Sequence, residues 1–127
     1  MSSRRRGGSG GRRSGQVGEV VRQVVGEALL RGDVRDPRVG LVTLTDVRVT
    51  PDLSHARLLV AVRGDEAERQ AALAGLASAA GLLRRLVAEA MSTRIVPELH
   101  FELDRGLEHA ARIDALLAGL ARGGEEA

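Results

Sequence analysis

A 127-residue chain with a single Phe, no Trp and no Tyr has room for one domain, with a core built from Val, Leu, Ile and Ala. That composition excludes a protein that grips single strands by stacking bases on aromatic platforms, and the absence of cysteine excludes disulfides and thiolate metal sites. All 19 basic residues are Arg, and five of them (Arg4, Arg5, Arg6, Arg12, Arg13) lie in the first 13 positions, leaving a remainder of 14 Arg against 17 Asp+Glu, a formal −3. Nucleic-acid binding by such a chain requires a local basic patch together with the N-terminus.

After the initiating Met, residues up to Ser14 are Ser, Gly and Arg alone, so 1–14 reads as a flexible basic arm. It serves either as a solubilising tail or as an RNA contact through Arg12 and Arg13. No apolar stretch follows it, so neither a secretory signal nor a membrane span is expected, and the expected location is the cytoplasm.

From Gly15 to Arg31, Val17, Val20, Val21, Val24, Val25, Ala28 and Leu29 fall on one helical face, with Gly32 placed to end the helix. Arg22 lies off that stripe. Asp36-Pro37 marks a turn. Val39 to Thr50 is rich in β-branched residues and reads as a strand with imperfect alternation. Val39, Leu41, Val47 and Val49 share one parity and Val42 and Leu44 the other, which a bulge or a face buried at one end would explain. A turn at Pro51–Ser54 leads into a second strand, His55–Arg63, with Ala56, Leu58, Val60 and Val62 inward and Arg57 and Arg63 outward.

Gly64-Asp65-Glu66 opens a long helical stretch centred on Ala67–Met91. Its one central glycine, Gly81, predicts two short helices meeting at Ala79-Ala80-Gly81. The second opens with Arg84 and Arg85, and a bare backbone beside two guanidiniums suits a phosphate chain. Pro97 ends that region, and Leu99, Phe101 and Leu103 then alternate with Glu98, His100, Glu102 and Asp104 in a third strand. A final helix is expected over Leu107–Leu120, followed by a frayed tail at 121–127. The whole describes an α+β domain over 15–120, a three-stranded sheet with helices on one face.

Several segments together resemble the ribosome-binding factor A family: Asp36-Pro37-Arg38-Val39-Gly40, the Ala79-Ala80-Gly81 junction with Leu86, and above all Met91-Ser92-Thr93-Arg94-Ile95-Val96-Pro97-Glu98-Leu99-His100-Phe101. Asp104, Leu107 and Arg112-Ile113 continue the likeness, which covers about Gln16 to Leu117; Gly106 and Ala110 depart from it. The resemblance implies a KH-like domain of type II topology whose Gly-x-x-Gly loop is replaced by an Ala-x-Gly kink, here Ala79-Ala80-Gly81, lying against ribosomal RNA. It further implies a factor that joins the free 30S subunit late in assembly and helps the 5′ end of 16S rRNA mature. A role in cold adaptation and departure before the 70S ribosome forms belong to the same implication.

Each signal has a plainer counterpart. The Gly-x-x-Gly matches at Gly7/Gly10, Gly8/Gly11 and Gly15/Gly18 follow no strand and are composition. Ala79-Ala80-Gly81 serves equally as a place where helices cross closely. Arg84, Arg85 and Arg94 either solvate a helix face or meet phosphates; acids at helical spacing are scarce around the first two, Glu89 for Arg85 excepted. Glu98, His100, Glu102 and Asp104 share a strand face but are spread about 7 Å per step, which favours a solvated surface over an acid/base or metal site. No nucleophile motif, P-loop or helical His pair is present, so no catalysis, metal or cofactor is expected.

The RNA-contact set is therefore Arg12, Arg13, Arg22, Ala79, Ala80, Gly81, Arg84, Arg85 and Arg94. A monomer acting on the 30S subunit and 16S rRNA, with neither DNA nor membrane as partner, is expected. A general KH-like RNA chaperone and a protein adaptor using the open sheet face are the competing functions.

Overall fold

The computed structural model describes residues 8–92, 94–106 and 117–118. Its elements run α1 (Gly8–Arg31), β1 (Val42–Val49), β2 (His55–Val62), α2 (Glu66–Ala90) and β3 (Glu98–Leu103). The sheet order is β1-β2-β3, antiparallel between β1 and β2 and parallel between β2 and β3. The α+β class and the three-stranded sheet are as the sequence predicts. The expected last helix falls almost wholly outside the described residues.

α1 forms because its apolar stripe has somewhere to go. Val21, Val25 and Ala28 are fully buried and Val17 nearly so, while Arg22 faces solvent. The helix ends where predicted, in a Schellman arrangement. Gly32 takes φ 75°, its N–H reaches the Leu29 carbonyl at 3.3 Å, and the Asp33 N–H reaches Ala28 at 2.9 Å. At the other end α1 begins at Gly8, earlier than Gly15. The part of the expected flexible arm from Gly8 to Ser14 is thus helical, since propagation from a packed helix adds one hydrogen bond per residue after the costly nucleus is made.

Of the two explanations for the parity switch in β1, the structure shows the bulge. Val42 pairs with Val62 and Leu44 with Val60; the register then shifts at Thr45, and Val47 pairs with Leu58 and Val49 with Ala56. One extra residue turns odd-numbered positions onto the face that even-numbered ones occupied, so all four β1 residues meet the core. The Thr45 hydroxyl secures the bulge, donating to Asp104 Oδ2 at 2.6 Å, with the Leu59 carbonyl 3.1 Å away.

The two helices expected to meet at Gly81 are one continuous helix, and this corrects the sequence reading. A capping box starts it: the Asp65 carboxylate accepts from the Glu68 N–H, and the Glu68 carboxylate from the Asp65 N–H, both at 2.8 Å. One helical glycine costs about 1 kcal/mol relative to alanine. Leu76, Leu83 and Val87, buried completely on both sides of it, offset that several times over at about 1.5–3 kcal/mol each. The helix is long and apolar enough to cross a membrane by length and composition, but its apolar stripe is occupied by the sheet. Both helices cover one sheet face, α1 chiefly over β1 and α2 chiefly over β3.

Candidate nucleic-acid interface

The chain between α1 and β1 lies against α2 at Gly75. A Cβ on Gly75 would stand 2.7 Å from Val39 Cγ2 and 3.2 Å from Asp36 Cγ, so the close approach needs glycine. Asp36 accepts from the Arg38 N–H at 2.9 Å and from its guanidinium at 2.6 and 3.0 Å. Arg38 also reaches Ser78 Oγ at 3.4 Å. Those hydrogen bonds hold the Asp36 carboxyl down at about 2. Val34, Arg35, Asp36 and Pro37 on one side and Gly75, Ser78, Ala79 and Leu82 on the other line a cleft of about 360 Å³.

The small-residue stretch beside this cleft divides in role. Ala79 and Ala80 are half-buried, and Ala79 packs on the core. Gly81 is exposed, and nothing lies within 4 Å of the position its Cβ would take. Ala79 therefore serves packing, while Gly81 leaves the helix surface open.

Arg84 and Arg85 do not act as a pair. Consecutive helical residues diverge by about 100°, and here the divergence decides their chemistry. Arg84 turns to the segment entering β3, where its Nη2 donates to the Val96 carbonyl at 2.8 Å and its Nε to that of Pro97 at 3.2 Å. Its immediate work is structural. Arg85 is exposed and has no ion-pair or hydrogen-bond partner among the described residues. Glu89, the acid at helical spacing, does not engage it.

Arg94 is likewise exposed and unpartnered among the described residues, next to Ile95, which is 49% exposed. Arg12 and Arg13 project from the first turns of α1 in the same condition. Arg13 lines a cleft of about 460 Å³ between Val17 and Val20 of α1, Leu53, and Met91 and Ile95 beyond α2. Arg22 is different: its guanidinium sits 2.6 Å from Glu19, so its charge is already matched. Of the predicted set, Arg12, Arg13, Arg85 and Arg94 have no ion-pair partner among the described residues, and Arg22 and Arg84 have intramolecular ones.

Two positions escaped the sequence reading. Arg35, exposed and unpartnered among the described residues, borders the cleft at Gly75; its place immediately before Asp36-Pro37 was the available signal. His55 opens β2 and lies opposite Glu98 in the parallel register. Nothing local to either strand reveals that pairing. On the same outer face Arg57 grips Glu102 through two hydrogen bonds of 2.8 Å, which lower the Glu102 carboxyl and raise the guanidinium.

A three-stranded mixed sheet with both described helices on one face, and arginines left unpaired on the helices and loops, defines a KH-like α+β domain. The sequence profile described as ribosome-binding factor A matches residues 13–117, and the chain belongs to that family. The ribosome-binding factor A of Thermomicrobium roseum is 45% identical over 105 residues, 83% of this chain and 81% of that protein. That of Halothermothrix orenii is 42% identical over 105 residues, 83% and 85% of the respective lengths. Among solved structures, the crystal structure of ribosome-binding factor A from Thermus thermophilus superposes with a TM-score of 0.62 at 25% identity, covering 72% of this chain and 97% of that one. A homology model of the Thermus thermophilus protein, fitted into the cryo-EM map of a 30S–RbfA complex, gives a TM-score of 0.51 at 28% identity over 70% and 96% of the two chains.

Proposed function

We propose that this chain is a non-catalytic assembly factor of the cytoplasm that binds the free 30S subunit as a monomer and assists late maturation of 16S rRNA, including its 5′ end. Its requirement is greatest in the cold, when wrong RNA pairings escape slowly. The observation that carries this reading is the family match across residues 13–117, supported by a relative fitted into the map of a 30S–RbfA complex. Arg85 and Arg94, without partners among the described residues, supply the phosphate-facing charge such a role needs, and the open helix surface at Gly81 allows close approach. With so little net charge, recognition rests on the shape of a folded RNA surface more than on general adhesion.

Sedimentation with ribosomal particles tests the reading. The protein should travel with free small subunits and scarcely with 70S particles, and release as salt rises because phosphate contacts displace counterions. Arg85→Glu combined with Arg94→Glu should lose subunit binding while circular dichroism and thermal melting stay unchanged. Equal affinity for unrelated RNAs, or full binding by the double variant, would overturn the proposal.

A further inference from the structure

On the sheet face away from the helices, two imidazoles from adjacent strands meet. His55 Nδ1 lies 3.0 Å from His100 Nε2, and the ring planes are tilted by 42° with centroids 5.1 Å apart. Glu98 Oε1 completes a triangle, 3.9 Å from His55 Nδ1 and 3.8 Å from His100 Nε2. We propose that His55, Glu98 and His100 form a binding site for a divalent transition-metal ion of the zinc type, with a coordination position left open to solvent.

The distances suit a shared ion. Two ligands each about 2.05 Å from one metal stand about 3.3 Å apart at tetrahedral angles and about 2.9 Å apart at right angles. The two histidines already lie inside that range at 3.0 Å. The carboxylate must approach by roughly half an ångström, and the Glu98 side chain, 64% exposed, is free to do so.

The backbone beneath the triangle is held where β2 and β3 pair and at the turn entering β2. His55 pairs with Glu98 in the parallel register, and the Glu98 N–H donates to the Ser54 carbonyl at 2.9 Å. The His55 N–H in turn donates to Thr50 Oγ1 at 3.1 Å, and its carbonyl accepts from the Thr50 N–H at 2.9 Å. A three-ligand site on paired strands loses little entropy when the ion arrives.

Electrostatics agree. Arg57, opposite His100 in the register, would repel a cation, but both of its bonding nitrogens are taken by Glu102. Glu98 supplies the one carboxylate among the three ligands. Two neutral imidazoles and a carboxylate form a borderline donor set that favours zinc and its neighbours over calcium or magnesium, which require a shell of oxygens. Three protein ligands with an open position is an arrangement zinc readily accepts.

Isothermal titration of the full-length, untagged protein with Zn²⁺, and with Co²⁺ followed by its visible absorption, tests the site. The expected result is one equivalent bound, a tetrahedral or five-coordinate cobalt spectrum, and a Zn²⁺-dependent rise in melting temperature. His100→Ala and Glu98→Gln should each weaken binding roughly tenfold or more. All three ligands are exposed, so melting in the presence of chelator should be alike for every variant. Absence of stoichiometric binding, or binding that survives His55→Ala with His100→Ala, would leave the 3.0 Å contact as a ring-to-ring hydrogen bond alone and would overturn the proposal.

Discussion

Arg84 reaches from α2 to the carbonyl oxygen of Val96 at 2.8 Å. With the second bond to Pro97, this ties the helix to the segment that enters β3, on which Arg94 and Ile95 are displayed. Arg84→Ala should cost about 1–2 kcal/mol, the scale of charge-assisted hydrogen bonds discounted for exposure. Arg84→Lys should recover little of this, because one ammonium does not reproduce the fork that reaches two carbonyls. Urea denaturation measures the cost, and amide exchange around Val96 should accelerate in both variants.

Gly75 and Gly81 occupy the same helix and should respond oppositely to alanine. At Gly75 a methyl group meets Val39 at 2.7 Å, and the overpacking should destabilise the fold by about 1–3 kcal/mol. At Gly81 the methyl meets nothing within 4 Å, and alanine should stabilise the helix by about 0.5–1 kcal/mol. If the bare backbone there touches RNA, Gly81→Ala will melt later yet bind small subunits less well. Thermal melting beside sedimentation reads both effects from one preparation.

Acid should weaken the fold through carboxylates whose folded pKa is lowered, three of them to about 2. Arg105 donates to Glu66 at 2.9 and 3.2 Å, and these bonds, with one from Gln70, hold that carboxyl at about 2, below its ordinary 4.5. The Ser54 and Thr50 hydroxyls do the same for Asp52, and Arg38 for Asp36, each to about 2 from 3.8. A carboxyl whose pKa is lower folded than unfolded contributes stability above its unfolded value, and that contribution is lost as pH falls through the folded one. Urea midpoints should therefore be level above about pH 5 and fall between about pH 4 and pH 2. Glu66→Gln should reduce the size of that fall.

The bulge in β1 depends on Thr45. Its hydroxyl donates to Asp104 at 2.6 Å, beside the Leu59 carbonyl at 3.1 Å. Thr45→Val keeps the shape and removes the donor, at about 1–2 kcal/mol by urea denaturation. Deleting Thr45 should leave Val47 and Val49 facing the core, because without the extra residue Val42, Leu44, Val47 and Val49 alternate regularly against β2, so the cost should stay on the scale of the lost hydroxyl contacts.

The surface arginines were visible in the sequence as arginines and nothing more. Arg85 has no partner among the described residues although Glu89 stands at helical spacing, while Arg84, next to it, identical in kind and with no acid at that spacing, was captured by two carbonyls twelve and thirteen residues away. The Gly81 break failed for a related reason. Local propensity disfavoured the helix by a small amount, and burial of Leu76, Leu83 and Val87 against the sheet outweighed it.

What the chain determined by itself is whatever periodicity and local sterics control: the buried stripe of α1, its end at Gly32, the strands and the parity switch in β1. The tertiary structure alone decided which charges remain free and which side chains from distant strands meet. Arg57 found Glu102, and His55 found His100. The reason is one of range. A helical or strand repeat is set by neighbours a few residues apart, whereas the partner of a charged or ligating side chain is chosen by the parallel register of β2 and β3, which closes only after the 35 residues between those strands have folded over the sheet.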